Sequence, residues 1–203
     1  MHSYQVNPER VIEIGAGWNI PVPETADGEN DLSRYASKRV CFVGRDFVRK
    51  GGPLVVAAIR QVRKVDPSVS LVIAGSNLRI KEDGITCLGR VDRTTVRNLF
   101  LQSALYVQPS EFEAFGIAFL EAQVTGLPVV GYDMFAMREI IVDGYNGFLL
   151  QERRPEVLAE LLVSLLSNPT LLRDMGQRGQ QLVRERYGWD KVARKMLAHI
   201  TGH

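Results

Sequence analysis

Short apolar runs, each followed by a stretch long enough for a helix, constrain this chain more than any other feature. Val40-Cys-Phe-Val-Gly44 reads as a buried strand and Pro53 to Val65 as a helix, with its proline suited to the first turn. Leu71-Val-Ile-Ala74 and Ile85-Thr-Cys-Leu88 read as strands, and Arg93–Gln102 as a helix. Leu105–Gln108 is the next strand, Gly116–Thr125 a helix and Val129-Val-Gly131 a fifth strand. Met137–Val142 looks helical, and Asp143-Gly-Tyr-Asn-Gly147 is a turn before Phe148-Leu-Leu150. Helices are expected at Pro155–Ser167, at Pro169–Tyr187 and from Trp189 to about Ile200. Strands that are apolar throughout belong to parallel sheets covered on both faces. Right-handed crossovers then make an α/β, doubly wound, Rossmann-like sheet. Ligands in such sheets bind beyond the carboxyl ends of the strands. Residues 45–52, 75–77, 89–92, 109–116 and 132–135 hold such positions and should converge on one crevice.

A chain of 203 residues suits one large domain or a domain plus an arm, and 45% apolar content is enough for a core. The net charge of +2, with dispersed basic residues, implies no nucleic-acid partner and no strong membrane field. Cys41 and Cys87 lie in or beside apolar runs, which suggests two buried thiols in a reducing compartment rather than a disulfide. There is no secretory signal and no apolar run of about 18 residues, so no transmembrane segment is expected. His2, His199 and His203 sit at the extreme ends, so the centre of the chain supplies no imidazole base. Residues 1–39 are weakly periodic. Val11-Ile-Glu-Ile14 could form a short strand ending in Gly15-Ala-Gly17, and residues 21–30 read as a linker.

Charged residues cluster in the loops after the strands. In Gly44-Arg-Asp-Phe-Val-Arg-Lys-Gly-Gly52, Arg45 and Lys50 have glycines behind them. That loop can fold both cations over one anion, a guanidinium chelating phosphate oxygens and an ammonium adding a point charge; it can equally be a solvated basic loop. Glu113 and Glu121 flank Ala114-Phe-Gly-Ile-Ala-Phe-Leu120. Gly116 opens the helix that carries Glu121, and a glycine at a helix start lets a phosphate approach free N–H groups. Glu113 beside such a phosphate would face sugar hydroxyls instead. Glu121 lies among Ile117, Leu120 and Val124, so its carboxylate needs donors, from a ligand, from backbone or from a nearby arginine. Glu111-Phe-Glu113 could suggest a metal site, but no Asp-x-Asp, His or Cys accompanies it, and Glu111 reads better as a surface residue. Gly15-Ala-Gly-Trp-Asn19 is not a dinucleotide fingerprint, because Ile20 stands where the last glycine belongs and Pro21 and Pro23 forbid a following helix.

The glutamate pair, its Phe115-Gly116 and the trailing Gly126-Leu-Pro-Val-Val130 occur in register, and together they resemble the donor-sugar site of GT-B fold retaining glycosyltransferases, glycosyltransferase family 4 (glycosyl transferases group 1). The resemblance covers roughly residues 10–200. It implies the second, donor-binding half of a two-domain enzyme that moves a hexose from a UDP- or GDP-linked sugar to a glycan, lipid or small-molecule acceptor, with no metal or other cofactor. Arg45, Lys50 and Glu113 would be catalytic, and Arg90, Val91, Ala114, Phe115, Gly116, Ile117 and Glu121 donor-binding, with Glu121 on the ribose. Gly89-Arg-Val91 would pass under the base, or be an ordinary turn. Residues 1–39 would be the interdomain segment, 40–187 the nucleotide-sugar domain, and 188–203 a helix that packs back on a missing N-terminal domain. That domain would supply the acceptor contacts, leaving the isolated chain inactive. The parent is expected in the cytoplasm or peripherally at the inner membrane face. One segment departs from the family: Met134-Phe-Ala-Met-Arg-Glu139 keeps the glutamate but lacks the usual glycine pair before it, which either reshapes the sugar pocket or serves core packing. Two other readings are a noncatalytic nucleotide-binding module of this fold and a sugar-nucleotide epimerase-like domain. Intact Arg45, Lys50, Glu113 and Glu121 speak against the first, and the lack of central histidines against the second.

Overall fold

The structure, a computed structural model, describes residues 11–22 and 32–201. Six strands form one sheet: β1 Arg39–Val43, β2 Ser70–Ala74, β3 Ile85–Gly89, β4 Leu105–Gln108, β5 Val129–Tyr132 and β6 Gly147–Leu150. Every pairing of these strands is parallel, as the apolar strand pattern predicts, and the order β3-β2-β1-β4-β5-β6 is that of a doubly wound sheet. The helices are α1 Ser33–Ala36, α2 Gly52–Val65, α3 Arg93–Leu101, α4 Ile117–Val124, α5 Met137–Ile140, α6 Pro155–Leu166, α7 Pro169–Arg186 and α8 Trp189–Thr201.

Alternation along β1 shows why its strand is apolar throughout. Val40 and Phe42 join one core cluster with Val55, Ile59 and Leu162 from α2 and α6, while Cys41 joins the opposite cluster with Phe100 and Leu120 from α3 and α4. β3 differs, because it is an edge strand with alternate residues open to solvent. Helix starts follow ordinary capping chemistry. The Asp92 side chain accepts from the Thr95 N–H at 2.7 Å, the Asn168 side chain from the Leu171 N–H at 3.1 Å, and prolines open α6 and α7.

Three expectations are corrected. Val11–Ile14 forms no strand; the segment runs beside Gly188, whose N–H donates to the Ala16 carbonyl, and reaches neither sheet edge, so it has no ladder to join. Ser33–Ala36, inside the weakly periodic residues 1–39, is a helix. Cys41 is buried, with its thiol pKa pushed up to about 12 by burial, but Cys87 on the edge strand is only half-buried. The linker expected at residues 21–30 lies largely outside the described residues.

Arg34 explains α1. Its Nε, Nη1 and Nη2 donate to the carbonyls of Ser103, Thr125 and Phe100 at 3.0, 2.8 and 2.9 Å. These carbonyls lie at the ends of α3 and α4, where helices leave acceptors unsatisfied and favour a cation. Burial lowers the Arg34 pKa from its ordinary value. Arg34→Ala should destabilise the chain by about 3 kcal/mol in urea unfolding, because three enclosed carbonyls lose a charged donor. A loss under about 1 kcal/mol would mean that water replaces the guanidinium.

Candidate functional site

The sheet reverses its winding between β1 and β4, and the loops after these two strands bound the crevice there. Gly51 and Gly75 allow the loops to meet. Gly51 has φ 80°, and a Cβ on it would stand 2.4 Å from the Pro109 carbonyl oxygen. Gly75 has φ 99°, and a Cβ there would stand 2.7 Å from the Gly44 carbonyl oxygen. Side chains are excluded at both places.

Across the reversal, Lys50 Nζ lies 2.9 Å from Glu113 Oε2, with the two side chains only 17% and 16% exposed. The same carboxylate oxygen accepts from Gln108 Nε2 at 3.0 Å and from the Ser110 hydroxyl at 3.4 Å. Gln108, fully buried, accepts in turn from the Tyr106 hydroxyl at 2.5 Å. Burial holds the Tyr106 pKa well above its ordinary value, so the hydroxyl remains a donor. Three of these groups, Tyr106, Gln108 and Ser110, are not among the site residues that the sequence suggests. Nothing in their local pattern marks them; they matter because β4 and the loop after it bring them to Glu113.

Arg45 is exposed, and Ser76 Oγ pins its backbone by donating to the carbonyls of Gly44 and Arg45 at 2.6 and 2.8 Å. Gly116 is the N-cap of α4 rather than its first helical residue, with φ 76°. A Cβ there would lie 2.4 Å from Met137 Cε, a flexible side-chain end that could move aside, so it is the left-handed backbone that calls for glycine. Ala114 is exposed beside it, and Phe115 and Ile117 are half-buried. After β3, the Arg90 N–H donates to Asn77 Oδ1 at 3.2 Å, which ties this loop to the one after β2, while Val91 packs on the core. Glu111 does not converge with Glu113. It pairs with Arg153 at 2.8 Å, as a surface residue would. Among the described residues no three His, Cys, Asp or Glu side chains group as a metal site.

Glu121 meets the backbone alternative. Its Oε1 accepts from the Asn19 N–H at 3.1 Å, and Asn19 Oδ1 accepts from Trp189 Nε1 at 3.2 Å. The Gly15–Asn19 segment therefore bridges α4 and α8. Burial raises the Glu121 pKa, with the Asn19 N–H and Arg93 opposing it. In the departing segment, Met137 packs in the core, while Met134, Phe135 and Glu139 are exposed. A cavity of about 240 Å³ lies elsewhere, between Glu13–Ala16 and Arg186–Lys195. The groups above instead lie at the carboxyl ends of the central strands, around the β1/β4 reversal.

Six parallel strands in this order, with charged loops and a glycine-started helix at the reversal, define a Rossmann-like domain with its ligand crevice at the switch point. The chain belongs to the glycosyl transferases group 1 family, which matches residues 32–182. A phosphatidyl-myo-inositol mannosyltransferase of Mycobacterium leprae (strain TN) is 32% identical over 198 residues, covering 92% of this chain and 52% of that protein. A D-inositol 3-phosphate glycosyltransferase of Segniliparus rotundus is 28% identical over 214 residues, covering 96% and 47%. Among solved structures, a glycosyltransferase from Rickettsia africae ESF-5 superposes with TM-score 0.78 at 19% identity, covering 96% of this chain and 57% of that one. Anabaena HepE, solved with UDP and glucose, gives TM-score 0.73 at 19% identity, covering 85% and 50%. These two speak for the fold alone, a Rossmann-like α/β domain. The chain spans about half the length of the curated relatives it matches. Among the described residues no helix is long and apolar enough to cross a membrane.

Glu121 generates a pH prediction. A carboxyl whose folded pKa exceeds its unfolded value favours the fold below the unfolded pKa, and that contribution is lost as pH rises through the folded value. Glu121→Gln keeps an oxygen for Asn19 and removes the charge. It should match or exceed the parent in urea midpoint at about pH 7, with the gain shrinking at about pH 4. A variant less stable at the higher pH would show that the carboxylate is favourably paired.

Proposed function

We propose that this chain is the donor-binding domain of a retaining, family 4 glycosyltransferase that moves a hexose from a UDP- or GDP-linked sugar to a glycan, lipid or small-molecule acceptor. The observation that carries the reading is the Lys50–Glu113 pair across the β1/β4 reversal, beside the glycine-capped start of α4. An ammonium has three donors, so Lys50 can keep Glu113 and still donate to a phosphate oxygen. Arg45 on the same loop can chelate a second oxygen. The first N–H groups of α4 add the positive end of a helix. These groups stabilise the charge that develops on the departing diphosphate. Glu113, already held by Gln108 and Ser110, presents a fixed carboxylate to sugar hydroxyls. Glu121 reads the ribose, and Arg90 and Val91 border the base. The acceptor hydroxyl attacks from the leaving-group face, with its contacts supplied by a further domain. No metal is needed, because cationic side chains and the helix start carry the diphosphate charge.

Calorimetric titration with UDP and GDP, with and without a chelator, tests this. Binding should survive the chelator. Lys50→Ala and Arg45→Ala should each weaken diphosphate binding about ten- to a hundredfold, the worth of a hydrogen bond to a charged group, while nucleoside binding changes little. Equal losses for nucleoside and diphosphate, or binding that vanishes with chelator, would overturn the assignment. The isolated chain should bind donor yet transfer no sugar to acceptor, since alignment and exclusion of water need a closed cleft. Robust transfer by the chain alone would place an acceptor site within it.

A further inference from the structure

The loops after β4 and β5 carry three apolar side chains that the core does not use. Phe112, Met134 and Phe135 are 49%, 36% and 50% exposed. The rings of Phe112 and Phe135 meet edge to face, with centroids 4.8 Å apart at 70°. Phe112 adjoins Glu113, and Arg49 holds its carbonyl with a hydrogen bond of 2.6 Å. Phe135 has φ 50°, a left-handed conformation that suits glycine or asparagine and disfavours a large side chain. A bulky ring kept in strained backbone, half in water, is held for contact rather than for stability.

We propose that Phe112 and Phe135 form the apolar wall of the donor-sugar subsite and select neutral hexoses over hexuronates. The inference rests on the donor-domain reading above and names the sugar class that the same site accepts. A hexose ring presents a face of C–H bonds, which packs on aromatic rings, while its hydroxyls are left to Glu113, the next residue along. Pockets of this kind combine apolar walls with few polar groups. A uronate carboxylate at this place would meet two rings without donors and the charge of Glu113. The cations nearby have other tasks: Lys50 and Arg45 face the diphosphate in this reading, while Arg49 pairs with Asp46 and Arg138 with Asp133.

The test is calorimetric titration of the 203-residue chain with UDP, UDP-glucose and UDP-glucuronate, and in parallel with GDP, GDP-mannose and GDP-mannuronate. For the base that binds, the neutral sugar nucleotide should bind about tenfold or more tightly than the uronate. Phe135→Gly, which fits the backbone, should weaken the neutral sugar nucleotide about two- to tenfold, the worth of one aromatic contact, and leave the bare diphosphate within about twofold. Its melting temperature reports that the fold is intact. Phe112→Leu should act the same way without touching the left-handed residue. Equal losses for diphosphate and sugar nucleotide, or no preference against the uronate, would overturn the wall while leaving the donor-domain reading standing. Failure of both diphosphates to bind the parent chain would overturn both.

Discussion

The crevice exists because the sheet grows in two directions from its centre. From β1 the chain moves outward through β2 and β3, then returns to β4 and moves outward through β5 and β6. The connections after β1 and β4 therefore lead to helices on opposite faces, and the crevice opens at the carboxyl ends of two adjacent parallel strands. Lys50 and Glu113 stand on its two lips. Gly51 and Gly75 let the surrounding backbone close to van der Waals distance or less of where a side chain would sit, so the lips are set by backbone contact rather than by flexible side chains. Had the order been sequential, the same residues would lie on one side of the sheet with no shared gap.

Two glutamates of this site show how much environment decides. Glu113 receives an ammonium, an amide and a hydroxyl on one oxygen, and the amide is itself anchored by Tyr106. Its direction is fixed by a buried polar chain, all of whose members have partners. Glu121 has a single backbone N–H from a distant segment, and burial works against its charge. A buried carboxylate with one donor leaves room for the ligand hydroxyls that the proposed ribose contact would bring.

The segment from Gly15 to Ile20 binds the two ends of the chain to the middle. Gly17 packs so closely on Trp189 that a Cβ would lie 2.5 Å from its backbone nitrogen, and Ile20 is buried in the α3/α4 core cluster. Through Asn19 the strap touches Glu121 and the indole of Trp189 together. The position of α8, whose outer residues Met196, Leu197 and Ile200 stay exposed, is thus coupled to Glu121 by a few hydrogen bonds.

Periodicity alone determined the class of fold. Strands apolar on both faces, such as β1 and β4, can only lie inside a covered parallel sheet, and the intervening helices announced themselves by prolines and caps at their starts. The glutamate spacing and the glycine before α4 marked the candidate site for the same reason: a loop carboxylate, a glycine cap and a helix start are local features written in a few consecutive residues. Other features needed the tertiary structure. Strand order cannot be read from strand content, so the juxtaposition of Lys50 with Glu113 had to wait for the sheet. The role of Arg34 depends on carbonyls from 66 to 91 residues away, which no window along the chain contains. Val11–Ile14 looked like a strand because its residues suit one, but a strand is stable only where a neighbour offers its own hydrogen bonds. Phe135 likewise gave no local sign of its left-handed backbone, since residue type states what a position prefers, and packing between loops states what it must accept.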